Sequence, residues 1–229
     1  MPGLRGKIRN MTVAYHTRTA LAATLGLAAA AWVVTVRQMH GMDMGVATPL
    51  RSFAFFVGLW AVMMAAMMLP GLVPAVLRRA RTTGAVRAVV PFVASYLVVW
   101  TLVGALIYAL YRPHGTWAAG LIVIAAGLYE LTRVKQHCRR CCRARVRSGF
   151  EFGLYCVGSS IGLMVMLVAL GVMSVPWMLV IALLVFAQKL LPVKAAIDVP
   201  LAIAIVALGI LIIAAPGVVP GLMPAMGMM

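Results

Sequence analysis

The feature that most constrains this chain is a series of long apolar runs separated by short basic segments. A transmembrane helix needs about 20 mostly apolar residues, within a range of roughly 17–25. Seven runs meet or approach that length, at roughly 19–36, 52–76, 88–110, 117–136, 152–173, 177–190 and 199–215. The sixth is short and ends in Gln188-Lys189. The pattern predicts an all-α fold, a polytopic transmembrane helix bundle of about seven spans. No internal repeat is evident and no linker is long enough to divide domains. A basic segment (1–18) therefore leads into a single helical domain (19–215), followed by a Met-rich tail (216–229).

Composition excludes the water-soluble alternative. Of 229 residues, 64% are apolar and 10% charged, against about 45–50% and about 25% in soluble domains. So few charges cannot cover the surface of a soluble domain. A net charge of +16 would suggest nucleic-acid binding on a soluble fold. Here the basic residues lie between apolar runs with no aromatic interleaving, so they report topology and no nucleic-acid partner is expected.

Short cytoplasmic loops are enriched in Lys and Arg. The N-terminal segment and the second, fourth and sixth connections carry seventeen of the basic residues, whereas the opposite side keeps only Arg37, Arg51 and Arg112. The N-terminus is therefore expected inside and the C-terminus outside, in a multi-pass protein of the bacterial plasma membrane. The first run is longer than the roughly 7–15-residue core of a secretory signal peptide and ends in Trp32 and Arg37, which marks a retained anchor.

Sulfur is partitioned across this topology. The outer side is expected to hold Met39, Met42, Met44, Met173, Met178 and the tail methionines Met223, Met226, Met228 and Met229. Met63, Met64, Met67, Met68, Met164 and Met166 fall within the membrane, while Cys138, Cys141 and Cys142 occupy the inner loop and Cys156 lies about one turn into the fifth span. Thioether and thiolate are soft ligands suited to Cu(I), and thiols stay reduced on the inner side but oxidise outside. Methionine is equally a flexible apolar filler, a reading that is weakest where the side chain is expected in water.

Three groups are candidate metal ligands. The outer loop offers Met39, His40, Met42, Asp43 and Met44, with glycines that let the chain fold round an ion. In the second span, Met63/Met67 and Met64/Met68 are i,i+4 pairs beside Ala65 and Ala66, which permit close helix approach. Pro70, Gly71 and Pro74 are expected to disturb the inner end of that span. On the inner side, His137, Cys138, Cys141 or Cys142, and Cys156 supply the four N or S ligands that zinc takes; the surrounding cations are expected to lower the thiol pKa values. Reduced, unengaged cysteines in a charged loop are the alternative.

The four acids, Asp43, Glu130, Glu151 and Asp198, map at or outside the expected interfaces. An intramembrane ionisable residue usually marks a proton or ion path, so a proton-coupled pump is disfavoured. No P-loop, H-E-x-x-H or G-x-S-x-G is present, and no enzymatic activity is expected.

Trp60-x-x-Met63-Met64-Ala-Ala-Met67-Met68-Leu-Pro-Gly resembles the signature of the predicted metal-binding integral membrane protein family (the DUF2182 family). The similarity continues through Ser95-Tyr96-x-x-x-Trp100, Ala126-Gly127-Leu128-Tyr129, Lys135, Cys138-x-x-x-Cys142-Arg143, Cys156-Val-Gly158, Leu163-Met164 and Gly171-Val-Met173-x-x-x-Trp177-Met178, covering roughly residues 39–200. The resemblance implies a Cys-Cys pair after Gly158, where this chain has Ser159-Ser160, and a Glu before Lys189, where it has Gln188. Those departures weaken any buried metal site that depends on two thiols and a carboxylate.

The combined expectation is a copper-binding or copper-delivering membrane protein, with zinc as a second metal at the inner cysteines. The alternatives are a non-catalytic subunit or homo-oligomer packed through adaptable methionines, and a small-solute transporter.

Overall fold

A computed structural model describes residues 2–40, 52–83, 86–143, 148–171, 174–191 and 195–219. Every regular element among them is helical. They are α1 (Pro2–Met39), α2 (Phe53–Thr83), α3 (Val89–Leu110), α4 (Thr116–Glu130), α5 (Arg133–Arg143), α6 (Gly149–Gly171), α7 (Val175–Leu190) and α8 (Ala195–Ala214), with two short 3₁₀ turns. The all-α bundle is as expected.

The span count differs. By length and composition, α1 over Ala14–Met39, α2, α3 and α6 are each sufficient to cross a membrane, and α4 with α5 makes a fifth span if the bent pair counts as one. The expected fourth run breaks at Leu131-Thr132, where the axis turns by 60°. Thr132 causes part of this break: its hydroxyl bonds the Tyr129 carbonyl at 2.8 Å and also accepts the Lys135 amide at 3.4 Å, starting α5 as an N-cap. α7 and α8 are shorter apolar helices. α7 stops because Leu191, at φ −78° and ψ 142°, precedes Pro192, and the residue before proline is driven out of the helical region.

Small residues set the closest contacts. Ala20, Thr24, Ala28, Ala31 and Thr35 recur every three to four residues on α1 and are all buried, giving a stripe on which α1 packs along α2. α4 and α8 run antiparallel, with backbone on backbone. A Cβ at Gly120 would lie 2.9 Å from the Gly209 carbonyl oxygen, and one at Gly209 would lie 2.9 Å from that of Gly120, while Gly127 faces Ala202 and Val206. α3 packs between α2 and α6, α5 lies on α6, and α7 contacts both α2 and α6. α6 opens with Ser148 accepting the Glu151 amide at 3.1 Å and ends at Gly171, whose φ of 123° suits a residue without a Cβ.

The interior centres on α2. Trp60 is 1% exposed, stacks on Phe56 and donates its indole N–H to the Trp100 carbonyl at 3.0 Å. Its ring fills the space that the missing side chain of Gly104 leaves on α3. Leu102, Leu106, Leu110, Leu121, Leu128, Leu154, Ile203 and Ile210 point outwards, as expected of side chains that face lipid.

Candidate functional site

The methionine stripe is fully inside. Met63, Met64, Met67 and Met68 are 0–2% exposed, and Met164, Met166 and Met178 are equally buried. α2 runs unbroken through Pro70 and Pro74 to Thr83, so the disturbance expected at its inner end does not interrupt the helix. Gly71 instead leaves a notch that the Lys189 side chain enters, bringing its Nζ to 3.7 Å from the Met68 Sδ. The Met68 end of the thioether stripe thus carries a positive charge.

Beside that contact lies a cavity of about 160 Å³, with Ser159, Ser160 and Gln188 in its buried part and Arg78, Arg143 and Cys142 among its walls. α5 turns out of the α4 axis and lies against α6, which puts Cys142 near Cys156, Ser159 and Lys189. Burial, followed by the neighbouring Cys156, pushes the Cys142 thiol up to about 12; Lys189 opposes the rise without reversing it. The expected lowering of thiol pKa by the local cations is therefore overturned at Cys142, because desolvation outweighs a partly screened charge. Burial raises the Cys138 thiol as well.

Cys142 comes near Cys156, but the four cysteines do not gather at one point. Cys138 Sγ packs over Gly158, where a Cβ would lie 2.6 Å away. Cys141 Sγ sits 3.4 Å from His137 Nε2 on an exposed face, and the buried Cys156 Sγ lies 3.2 Å from Tyr96 Oη. Among the described residues no three His, Cys, Asp or Glu side chains group to hold a metal ion. The expected zinc set of His137, Cys138, Cys141 or Cys142, and Cys156 is not assembled in this structure.

Two acids lie elsewhere than expected. Glu130 and Asp198 are 1% and 2% exposed, inside the protein rather than at a wet interface. Glu130 pairs with Lys135, and Asp198 with Arg139. Gln188 joins the two pairs: its carbonyl accepts from Lys135 Nζ at 3.1 Å, its amide donates to Glu130 at 2.6 Å, and its backbone carbonyl accepts from Arg139 at 2.8 Å. This clasp fastens α5 to the start of α8 and the end of α7. Gln188 suits this place because its amide donates to Glu130 while its carbonyl accepts from Lys135, whereas an ionised Glu would offer Glu130 no donor. The sequence signal was the scarcity of acids, since a buried carboxylate must be paired.

At the C-terminal end of α1, Met39 is 3% exposed and packs into the core, whereas His40 is exposed. Met39 was expected in water, so here its thioether serves packing. Met42, Asp43, Met44, Met173 and the tail methionines lie outside the described residues.

A family model described as "PpoB2: Copper chaperone" matches residues 57–212, more than half of the chain. The match runs from the turn before Trp60 to the last turns of α8 and includes the methionine stripe, the clasp and the cavity. No curated protein and no solved structure gives a significant match.

Proposed function

We propose that this chain, which belongs to the PpoB2 copper chaperone family, is a non-enzymatic carrier that holds Cu(I) on buried thioethers in a bacterial plasma membrane and hands it to a partner there. The observation that carries this reading is the burial of Met63, Met64, Met67 and Met68 on one helix, each at most 2% exposed. Thioethers are soft, uncharged ligands that need no deprotonation. A hard ion such as Mg²⁺ gives up its water reluctantly and takes oxygen ligands, so a dry sulfur stripe selects for Cu(I). Within each pair, Met63/Met67 and Met64/Met68, the two residues are about one turn, roughly 5.4 Å, apart along α2, which lets an ion pass from one turn to the next. On this reading the outer point of capture is formed by His40, Met42, Asp43 and Met44, without the buried Met39. Lys189 closes the inner end, so that copper reaching Met68 must displace its ammonium group toward the cavity walled by Cys142.

The experiment is a Cu(I) competition titration of the full chain under reducing conditions. Met64→Leu/Met68→Leu keeps bulk and apolarity, and volume-conserving swaps of this kind usually cost less than about 1.5 kcal/mol. Affinity should fall at least about tenfold, equivalent to roughly 1.4 kcal/mol, while the protein remains monodisperse. Unchanged affinity would assign the stripe to packing and favour the non-catalytic subunit.

A further inference from the structure

We propose that the cavity at the inner end of the bundle is a binding site for a phosphate-class oxyanion whose binding needs no copper. Arg78, Arg143 and Lys189 surround it, and none has a carboxylate partner: among the described residues the ion pairs are Lys135–Glu130 and Arg139–Asp198. The inner-side excess of Lys and Arg explains how many cations are here, but not why three of them converge. They are linked in sequence round the opening, Arg78 donating to the Arg143 carbonyl at 2.8 Å and Arg143 donating to the Lys189 carbonyl at 3.1 Å. Like charges gathered at a partly closed cavity repel one another, and an anion between them removes that cost.

The buried part of the cavity suits the same ligand. Ser159 donates to the Cys156 carbonyl at 2.9 Å, which leaves Ser160 with only a long contact of 3.5 Å to Ser159. Ser160 is 3% exposed and donates only into that long contact, so a ligand oxygen would give its hydroxyl a better acceptor. The volume of about 160 Å³ is close to the roughly 150 Å³ of a cavity that holds benzene, enough for one tetrahedral oxyanion. Arginine forks match phosphate oxygens in pairs and lysine adds a point charge. Basic pockets between membrane helices on the cytoplasmic side recognise anionic headgroups in this way. The ligand is either the phosphodiester of an anionic lipid or free inorganic phosphate.

The test uses the full chain, delipidated in neutral detergent and stripped of copper with a chelator. Inorganic phosphate is titrated calorimetrically against a chloride control. Retention of phosphatidylglycerol is compared with that of phosphatidylcholine by native mass spectrometry. Binding of one probe over its control is expected, with at least a tenfold loss in Arg78→Gln, on the exposed rim, and in Ser160→Ala, in the buried part. Phosphatidylglycerol retention without phosphate binding assigns the lipid headgroup; phosphate binding without lipid preference assigns the free ion. Arg78→Lys, which keeps the charge but loses the fork, should fall between parent and Arg78→Gln. Failure of both probes to exceed their controls, or equal binding by parent and both loss variants, would overturn the proposal and leave the Cu(I) reading untouched.

Discussion

Removing one charge from the buried clasp should be far more damaging than removing two. Glu130 and Lys135 are each 1% exposed and paired. Glu130→Gln preserves the shape but leaves the Lys135 ammonium in the interior with neutral acceptors alone, the new amide carbonyl and the Gln188 carbonyl at 3.1 Å, and no counter-charge from position 130. Breaking a buried pair by removing one partner costs about 3–5 kcal/mol, whereas replacing both charges is often neutral or stabilising. Glu130→Gln/Lys135→Met should therefore recover most of the loss, for a coupling of about 3 kcal/mol. At roughly 2–4 °C per kcal/mol for a chain of 150–250 residues, the single variant should melt at least about 6 °C below the parent. The assay is thermal unfolding in detergent, followed by tryptophan fluorescence for the parent, both single variants and the double. A single-variant cost below about 1 kcal/mol, or a double variant no more stable than Glu130→Gln, would refute the reasoning.

Three further outcomes follow from other parts of the molecule. With Cys138 and Cys141 changed to Ser and the buried Cys156 kept, alkylation of Cys142, read by peptide mass, should be slow near neutral pH and rise about tenfold per pH unit to at least pH 10, because the thiolate fraction climbs steadily below a pKa of about 12; a plateau near pH 9 would contradict the burial of that thiol. Gly104→Ala, which collides with the Trp60 indole, should cost about 1–3 kcal/mol in the same melting assay, while Gly26→Ala, with nothing within 4 Å, should gain roughly 0.5–1 kcal/mol from helix propensity; equal effects would contradict the packing described. A reporter fused after Met229 should be active only on the outer side, and activity in the cytoplasm would overturn the assignment of sides.

The bundle was legible because period and length are local properties: the run around Trp60 and Met63–Met68 predicts a buried helix whatever its neighbours do. The α1 stripe of Ala20, Thr24, Ala28, Ala31 and Thr35 is likewise visible as spacing once its partner is known. The turn at Leu131-Thr132 was not legible, because it depends on a threonine hydroxyl that bonds the end of one helix and the start of the next. Glu130 and Asp198 were misplaced for a related reason. Each is near the end of an apolar run, and only the tertiary meeting of α5, α7 and α8 shows that Lys135 and Arg139 come to them. The cysteines teach the same lesson, since spacing grouped Cys138, Cys141 and Cys142, whereas the helix sends their thiols to Gly158, to His137 and to the cavity.

The central claim is that copper is held by thioether sulfur. X-ray absorption at the copper edge, recorded on the full chain loaded with one equivalent of Cu(I), measures this directly. The account predicts a Cu(I) edge with a first shell made of sulfur and at most one imidazole nitrogen, and a loss of sulfur scattering in Met64→Leu/Met68→Leu. A shell of nitrogen and oxygen, or a sulfur shell unchanged by that substitution, would contradict it.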